Sequence, residues 1–118
     1  MFPKPFAEID AAALAAKLKS DEDFVLLDVR EAKELSLAKI ADRRLVHAPM
    51  SALAQQGTSA LPEPAQSQER GVYVLCHHGN RSGQVTTWLI QNGWKNVVNV
   101  RGGIDAYARG IDPSVGMY

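Results

Sequence analysis

The chain of 118 residues holds a single cysteine, Cys76. One thiol closes no internal disulfide, and the cysteine and histidine spacings of a zinc site are missing, so neither a bridge nor a metal is expected to hold the fold. A reducing, cytoplasmic setting is the simplest match to that cysteine usage. An excess of one charge is missing too: Lys plus Arg number 13 and Asp plus Glu number 13. The whole-chain field therefore recruits neither nucleic acid nor an anionic membrane, and any electrostatic function has to be local. No stretch approaches the ~18 consecutive apolar residues of a membrane span, and the opening MFPKPFAEID lacks the apolar run behind a basic start that marks a leader. Internal repeats and low-complexity tracts are absent. What is present is a length suited to one domain over 1–118, with a core from about 6 to 110, an irregular tail over 111–118, and a monomer as the default state.

The apolar pattern supplies the elements. In IDAAALAAKLK, residues 9–19, Asp10 stands where an N-cap belongs, and Ile9, Ala13, Leu14 and Leu18 share a face, which predicts a helix packed on its own core. FVLLDV, residues 24–29, reads as a strand buried on both faces, ending in the charged group Asp28-Val29-Arg30. A pair between Asp28 and Arg30 would steady the strand-to-helix turn, and both residues are placed to support a neighbouring site. A short helix over 31–40, a turn at ADRR and a strand over 45–49 follow. His47 is expected to serve structure, and Arg43 and Arg44 to occupy a solvated turn rather than a basic patch. Residues 51–68, with Gly57, Pro62 and Pro64, predict an irregular surface connection with one helical turn near Leu53. A strand over 72–75, a helix over 81–91 stopping at Asn92-Gly93, a strand over 96–100 and a short helix in GGIDAYARG complete the order.

Strands alternating with helices predict an α/β fold: a central, mostly parallel sheet flanked by helices on both faces, because parallel neighbours need crossovers and the crossovers bury the sheet. Ligands of such sheets collect beyond the carboxyl ends of the strands. Cys76 stands at one such end, where VYVL breaks into CHHGNRS. That loop offers consecutive backbone N–H groups, a glycine free to take positive φ, and then a helix N-terminus, which together cradle negative charge. Its donors, the helix dipole and Arg81 all favour a thiolate, and an anion bonded to or attacked by the sulfur would sit among the same donors. A cysteine that merely packs in the core leaves Gly79, Arg81 and Ser82 unexplained.

CHHGNRS, of the form Cys-x-x-Gly-x-Arg-Ser, resembles the active-site loop of rhodanese-type sulfurtransferases. LLDVRE is similar to that family's upstream strand motif, and VRGGIDAY to its Gly-Gly segment before the last helix; the resemblance runs from the first helix to about Tyr107. It implies a single-domain rhodanese-like fold in which Cys76 accepts a sulfane sulfur from a small donor such as thiosulfate or a persulfide. The resulting persulfide passes its sulfur to a thiol or other nucleophile, a protein sulfur carrier included, with no metal or organic cofactor. On the matched positions the resemblance implies Cys76 as nucleophile, Arg81 shaping the loop and favouring anionic sulfur, Gly79 allowing its turn and Ser82 hydrogen-bonding near its end. Backbone N–H groups of the loop, which Asn80 completes, would stabilise the persulfide. His77 and His78 fill variable positions, where they tune shape and access or lend charge or a proton to a departing group. Between Arg30 and Pro49 the chain departs from the family: LAKIADRRLVHAPM stands in place of a Gly-His-Ile-Pro-Gly-Ala-like stretch, which leaves the acceptor open.

Three other classes fit a cysteine in such a loop. Some dual-specificity phosphatases are similar in fold, but their pattern has five residues between cysteine and arginine, a wider ring for a phosphoryl group, whereas four separate Cys76 from Arg81. No carboxylic acid within the loop would protonate a leaving alcohol. A non-catalytic interaction module has no need of Cys76 and Arg81. A peroxide-responsive thiol follows from the same thiolate, yet with no second cysteine to resolve a sulfenic acid its reduction requires an external thiol.

Overall fold

Pairing partners far along the chain decide where the first helix starts. In the computed structural model, which describes residues 6–118, Ile9 ends the short edge strand β1 (Ala7–Ile9) instead of opening the helix. Its carbonyl accepts from the Arg101 N–H at 2.8 Å, a contact no local pattern reveals. Asp10 then caps α1 (Ala11–Leu18), its Oδ1 accepting from the Ala13 N–H at 2.8 Å. Ala11, Leu14 and Ala15 form the buried stripe, while Ala13, expected on it, is exposed. The sequence reading of the N-terminus falls partly on residues 1–5, outside the described residues.

The remaining elements are β2 (Val25–Asp28), α2 (Ala32–Leu35), β3 (Leu45–His47), α3 (Met50–Gln56), β4 (Val72–Leu75), α4 (Asn80–Gln91), β5 (Val97–Val100) and α5 (Gly103–Gly110). The strands form one sheet in the order β1-β5-β4-β2-β3, and each described pairing is parallel. Alternate side chains serve opposite faces. Val25, Leu27, Val72, Val74 and Val97 meet Leu53 of α3 and Val85 and Leu89 of α4. Leu26, Leu75 and Val100 meet Leu14 of α1 and Ile104 and Tyr107 of α5.

This topology creates the crevice for a site. From β2 the chain steps outward to β3, and from β4 it steps the opposite way to β5. Right-handed crossovers then run on opposite faces and part beyond the carboxyl ends of β2 and β4. Cys76 directly follows β4, and the Asp28–Arg30 group ends β2, so both arrive at the same opening.

Three stretches differ from the sequence pattern. The helix expected over 31–40 stops at Leu35, because Ala38 and Ile40 leave it to enter the core. Residues 51–68 are more ordered than their composition predicts: α3 is anchored by buried Leu53, and two 3-10 turns, Gly57–Ala60 and Glu63–Ala65, bring Ala65 beneath Trp94, whose indole N–H donates to its carbonyl at 3.0 Å. Arg44 is not in a solvated turn. It is buried, paired with Asp42, and its guanidinium donates to the carbonyls of Leu18, Ser20 and Glu22. Leu18 closes α1, where the last carbonyls have no helical partner, and Arg44 supplies a donor there and to two carbonyls of the connection beyond it. Arg43 is exposed. The tail is irregular apart from one 3-10 turn, Pro113–Val115. No helix among the described residues is long and apolar enough to cross a membrane.

Candidate active site

Beyond β4 the Cys76 sulfur lies on the floor of the crevice, the residue only 1% exposed. The loop is pinned from behind by the start of α5: the N–H groups of Ile104 and Asp105 donate to the carbonyls of Cys76 and His77 at 2.9 and 3.0 Å. So close an approach requires glycine at 103, where φ is +63° and a Cβ would collide with both carbonyl oxygens. Gly79, at φ +101°, turns the chain into α4, and its N–H points at Cys76 Sγ from 3.1 Å. The thiol in turn donates to Ser82 Oγ at 3.2 Å. Because α4 begins at Asn80, the positive end of its dipole faces the loop. Asn80 itself is exposed.

Arg81 is held in a two-pronged pair with Glu34 of α2, Nη1 to Oε2 at 2.7 Å and Nη2 to Oε1 at 2.8 Å. The pair ties the loop after β4 to the helix after β2 across the crevice, and it matches the Arg81 charge with a carboxylate. Arg81's hydrogen bonds, against the opposing effect of burial and with help from the Glu31 N–H and the Tyr118 hydroxyl, hold the Glu34 carboxyl down from an ordinary 4.5 to about 2. A depressed carboxyl contributes stability that is complete above its unfolded value and is lost as the pH falls through the folded one. Stability of the wild type should therefore fall in the window from 4.5 to about 2. Glu34→Gln is expected to be less stable than the wild type at neutral pH, and the gap to close across that window. Urea unfolding at stepped pH measures it, and a gap that stays constant with pH would refute the assignment.

Asp28 and Arg30, both fully buried, form the pair anticipated from sequence. Arg30 Nε and Nη2 grip the Asp28 carboxylate at 2.8–3.2 Å, Nη2 also donates to the Ala38 carbonyl at 2.8 Å, and Nη1 reaches the Glu34 carbonyl and the Tyr118 hydroxyl at 3.2 and 3.0 Å. The Arg30 carbonyl lies 2.6 Å from His47 Nε2, so His47 serves the turn. The pair thus lies one step behind the loop: it orients Glu34, and Glu34 orients Arg81.

His77 and His78 are the two loop residues that follow Cys76. The His77 ring is stacked between Tyr118, 3.8 Å away and 6° from parallel, and His78, 3.8 Å away and tilted by 30°. Burial, then the neighbouring His78, push the His77 imidazole below its ordinary value, so it favours the neutral form. His78 is largely exposed, with Nε2 3.9 Å from Asp105 Oδ2. His77, His78 and Asp105 bring three possible ligand atoms within 4.8 Å of one another.

Several neighbours of the loop escaped the sequence reading. Asn99, in the run VVNV, is a polar residue at a core-facing strand position, and that misfit is a usable signal for a buried network. Glu34, which follows Arg30, Glu31 and Lys33 in the charged stretch after β2, offered a weaker one. Tyr118 offered none, since it comes from a tail without periodicity.

A parallel sheet that delivers a lone thiol to a glycine-turned loop at the head of a helix, beyond the carboxyl ends of its strands, defines an α/β domain with its candidate site at the switch point. The chain belongs to the rhodanese-like domain family, whose model matches residues 10–109. It is 35% identical over 102 residues to a sulfurtransferase of Allochromatium vinosum, with 86% of this chain and 88% of that protein covered. It is 34% identical over 119 residues to the chloroplastic rhodanese-like/PpiC domain-containing protein 12 of Arabidopsis thaliana, where 98% of this chain spans only 38% of that protein. Among solved structures, a rhodanese-related protein from Thermoplasma volcanium shares the fold with a TM-score of 0.71 at 33% identity, over 88% of this chain and 92% of that one. The chain is thereby placed in a sulfurtransferase family.

Proposed function

We propose that the protein transfers a sulfane sulfur through a persulfide on Cys76. The observation that supports this reading most is the Gly79 N–H directed at Sγ from 3.1 Å, at the head of α4. In the first half-reaction the Cys76 thiolate attacks the outer sulfur of a donor such as thiosulfate or a small persulfide. The donor's S–S bond breaks, its electron pair leaves with the desulfurated donor (sulfite in the case of thiosulfate), and the outer sulfur of the new persulfide carries the negative charge. In the second half an acceptor thiolate attacks that outer sulfur, and the bond pair returns to Sγ. Sulfur passes between thiolates, so the balance calls for no metal, cofactor or external oxidant.

A buried Sγ suits this chemistry, because the outer persulfide sulfur extends ~2 Å from it and is the atom an acceptor meets. Small thiols fit the role, and a protein sulfur carrier is the larger acceptor class; the proposed setting is the cytoplasm. The short spacing between Cys76 and Arg81 favours one added sulfur over a phosphoryl group.

Intact-mass measurement of reduced protein after exposure to thiosulfate or a small persulfide, with the donor removed, tests the reading. A gain of one sulfur atom that disappears on adding a thiol is expected. A folded, reduced protein that takes up no sulfur from any sulfane donor would overturn it.

A further inference from the structure

Behind the sulfur runs a buried polar chain that the reaction above does not use. Ser82 Oγ, which accepts from the Cys76 thiol, lies 2.5 Å from Asn99 Oδ1, and the seryl hydroxyl donates to it. Ser82 and Asn99 are buried, at 0% and 1% exposure. Asn99 Nδ2, on β5, donates to Glu8 Oε2 on β1 at 2.9 Å and to the Gly79 carbonyl at 3.3 Å. These partners decide which way the amide faces. Turned over, its oxygen would confront a carboxylate and a carbonyl, neither of which can donate in those forms. With Nδ2 toward Glu8 and Gly79, the amide oxygen faces Ser82 and offers only lone pairs. A hydroxyl has one hydrogen, so Ser82 directs it to Asn99 and turns a lone pair toward the sulfur.

We infer that Asn99 is a positioning residue for Cys76: acting through Ser82, it fixes that hydroxyl as an acceptor, so that Ser82 holds the resting thiol and opposes the thiolate. Stabilisation of anionic sulfur falls to the Gly79 N–H and the α4 terminus. The meaning of this arrangement for catalysis rests on the reading of Cys76 as sulfur carrier, but its test does not. The charged and titratable groups around the loop are Arg81 with Glu34, the Asp28–Arg30 pair, Tyr118 stacked on His77, His77 itself, and His78 with Asp105 of α5. All of them, and Glu8 at the far end of the polar chain, keep their identities when Ser82 alone is changed.

The experiment is the pH profile of Cys76 alkylation by iodoacetamide, checked by thiolate ultraviolet absorbance, in the wild type, Ser82→Ala, Asn99→Leu and the double variant. Ser82→Ala removes the acceptor, and its midpoint is expected to move to lower pH by about half to one unit, giving about three- to tenfold faster alkylation below the midpoint, the scale of one hydrogen bond. Asn99→Leu releases the hydroxyl to turn and donate to the thiolate, so its midpoint moves further down, and the double variant returns to the Ser82→Ala value. An upward shift or none in Ser82→Ala overturns the inference, as does a wild-type midpoint in Asn99→Leu. Should Asn99→Leu fail to fold, Ser82→Ala still decides, because a donating hydroxyl requires the opposite shift. No sulfur donor enters this assay. Absence of sulfur loading together with the downward shifts would sink the proposed function and keep the inference, while normal loading with an upward shift would do the reverse.

Discussion

Cys76→Ser is expected to lose sulfur loading altogether: the one-sulfur mass gain proposed for the wild type should disappear, and transfer to a thiol acceptor should fall by at least about 10⁴-fold, the scale of losing an essential nucleophile. An alcohol in that position has no accessible anion near neutral pH and is a poor nucleophile toward divalent sulfur. The fold is expected to survive, because serine is close in size to cysteine and can still donate to Ser82 Oγ and accept from the Gly79 N–H. Circular dichroism and the melting temperature provide the control. Full transfer activity in a folded Cys76→Ser protein would remove Cys76 from the mechanism.

The second large effect falls on stability. Arg30→Ala leaves the Asp28 carboxylate, fully buried, without its cation and takes the side-chain donor from the Ala38 and Glu34 carbonyls. Breaking a buried ion pair from one side costs about 3–5 kcal/mol, which for a domain of this size lowers the melting temperature by about 10–20 °C. Arg30→Lys is expected to recover little, since an ammonium cannot reproduce the fork that grips both Asp28 oxygens while reaching two carbonyls. Replacing the two together, as Asp28→Leu with Arg30→Met, should recover part of the stability by removing the stranded charge. Sulfur loading should remain impaired in that double variant, because Glu34 and through it Arg81 lose their support. A melting temperature for Arg30→Ala within a few degrees of the wild type would show that water reaches Asp28 and that the pair is not what holds the turn.

Much of the framework was legible because it is local. An apolar run of four residues followed by a polar, glycine-containing loop and a helical repeat announces strand, turn and helix without reference to any distant residue, and 72–91 follows that pattern. The same holds for Asp10 as a cap. The misplacements share one cause. Ile9 has the spacing of a helical residue, yet the sheet edge beside β5 offers it better partners. Leu61 and Ala65 lie in a stretch whose composition says loop, yet each fills a place in the core beneath the sheet, whereas the helical turn expected near Leu53 is there as part of α3. Arg44 looks solvated by its neighbours in sequence, and only the end of α1 folded against it shows what it is for.

By itself the sequence determined that one thiol, at the end of a buried strand and the start of a helix, would face a loop able to hold an anion, and that alternating elements would bury a parallel sheet. Those are properties of periodicity and of residue chemistry within a few positions. Only the tertiary structure decided which groups surround the thiol: Glu34 meets Arg81 from 47 residues away, Asn99 meets Glu8 from 91, and Tyr118 meets Arg30 from 88. A hydrogen bond spans ~3 Å, and periodicity records which side of an element is buried but not which distant group it will touch. The crossing of the chain at the switch point brings those partners within that distance.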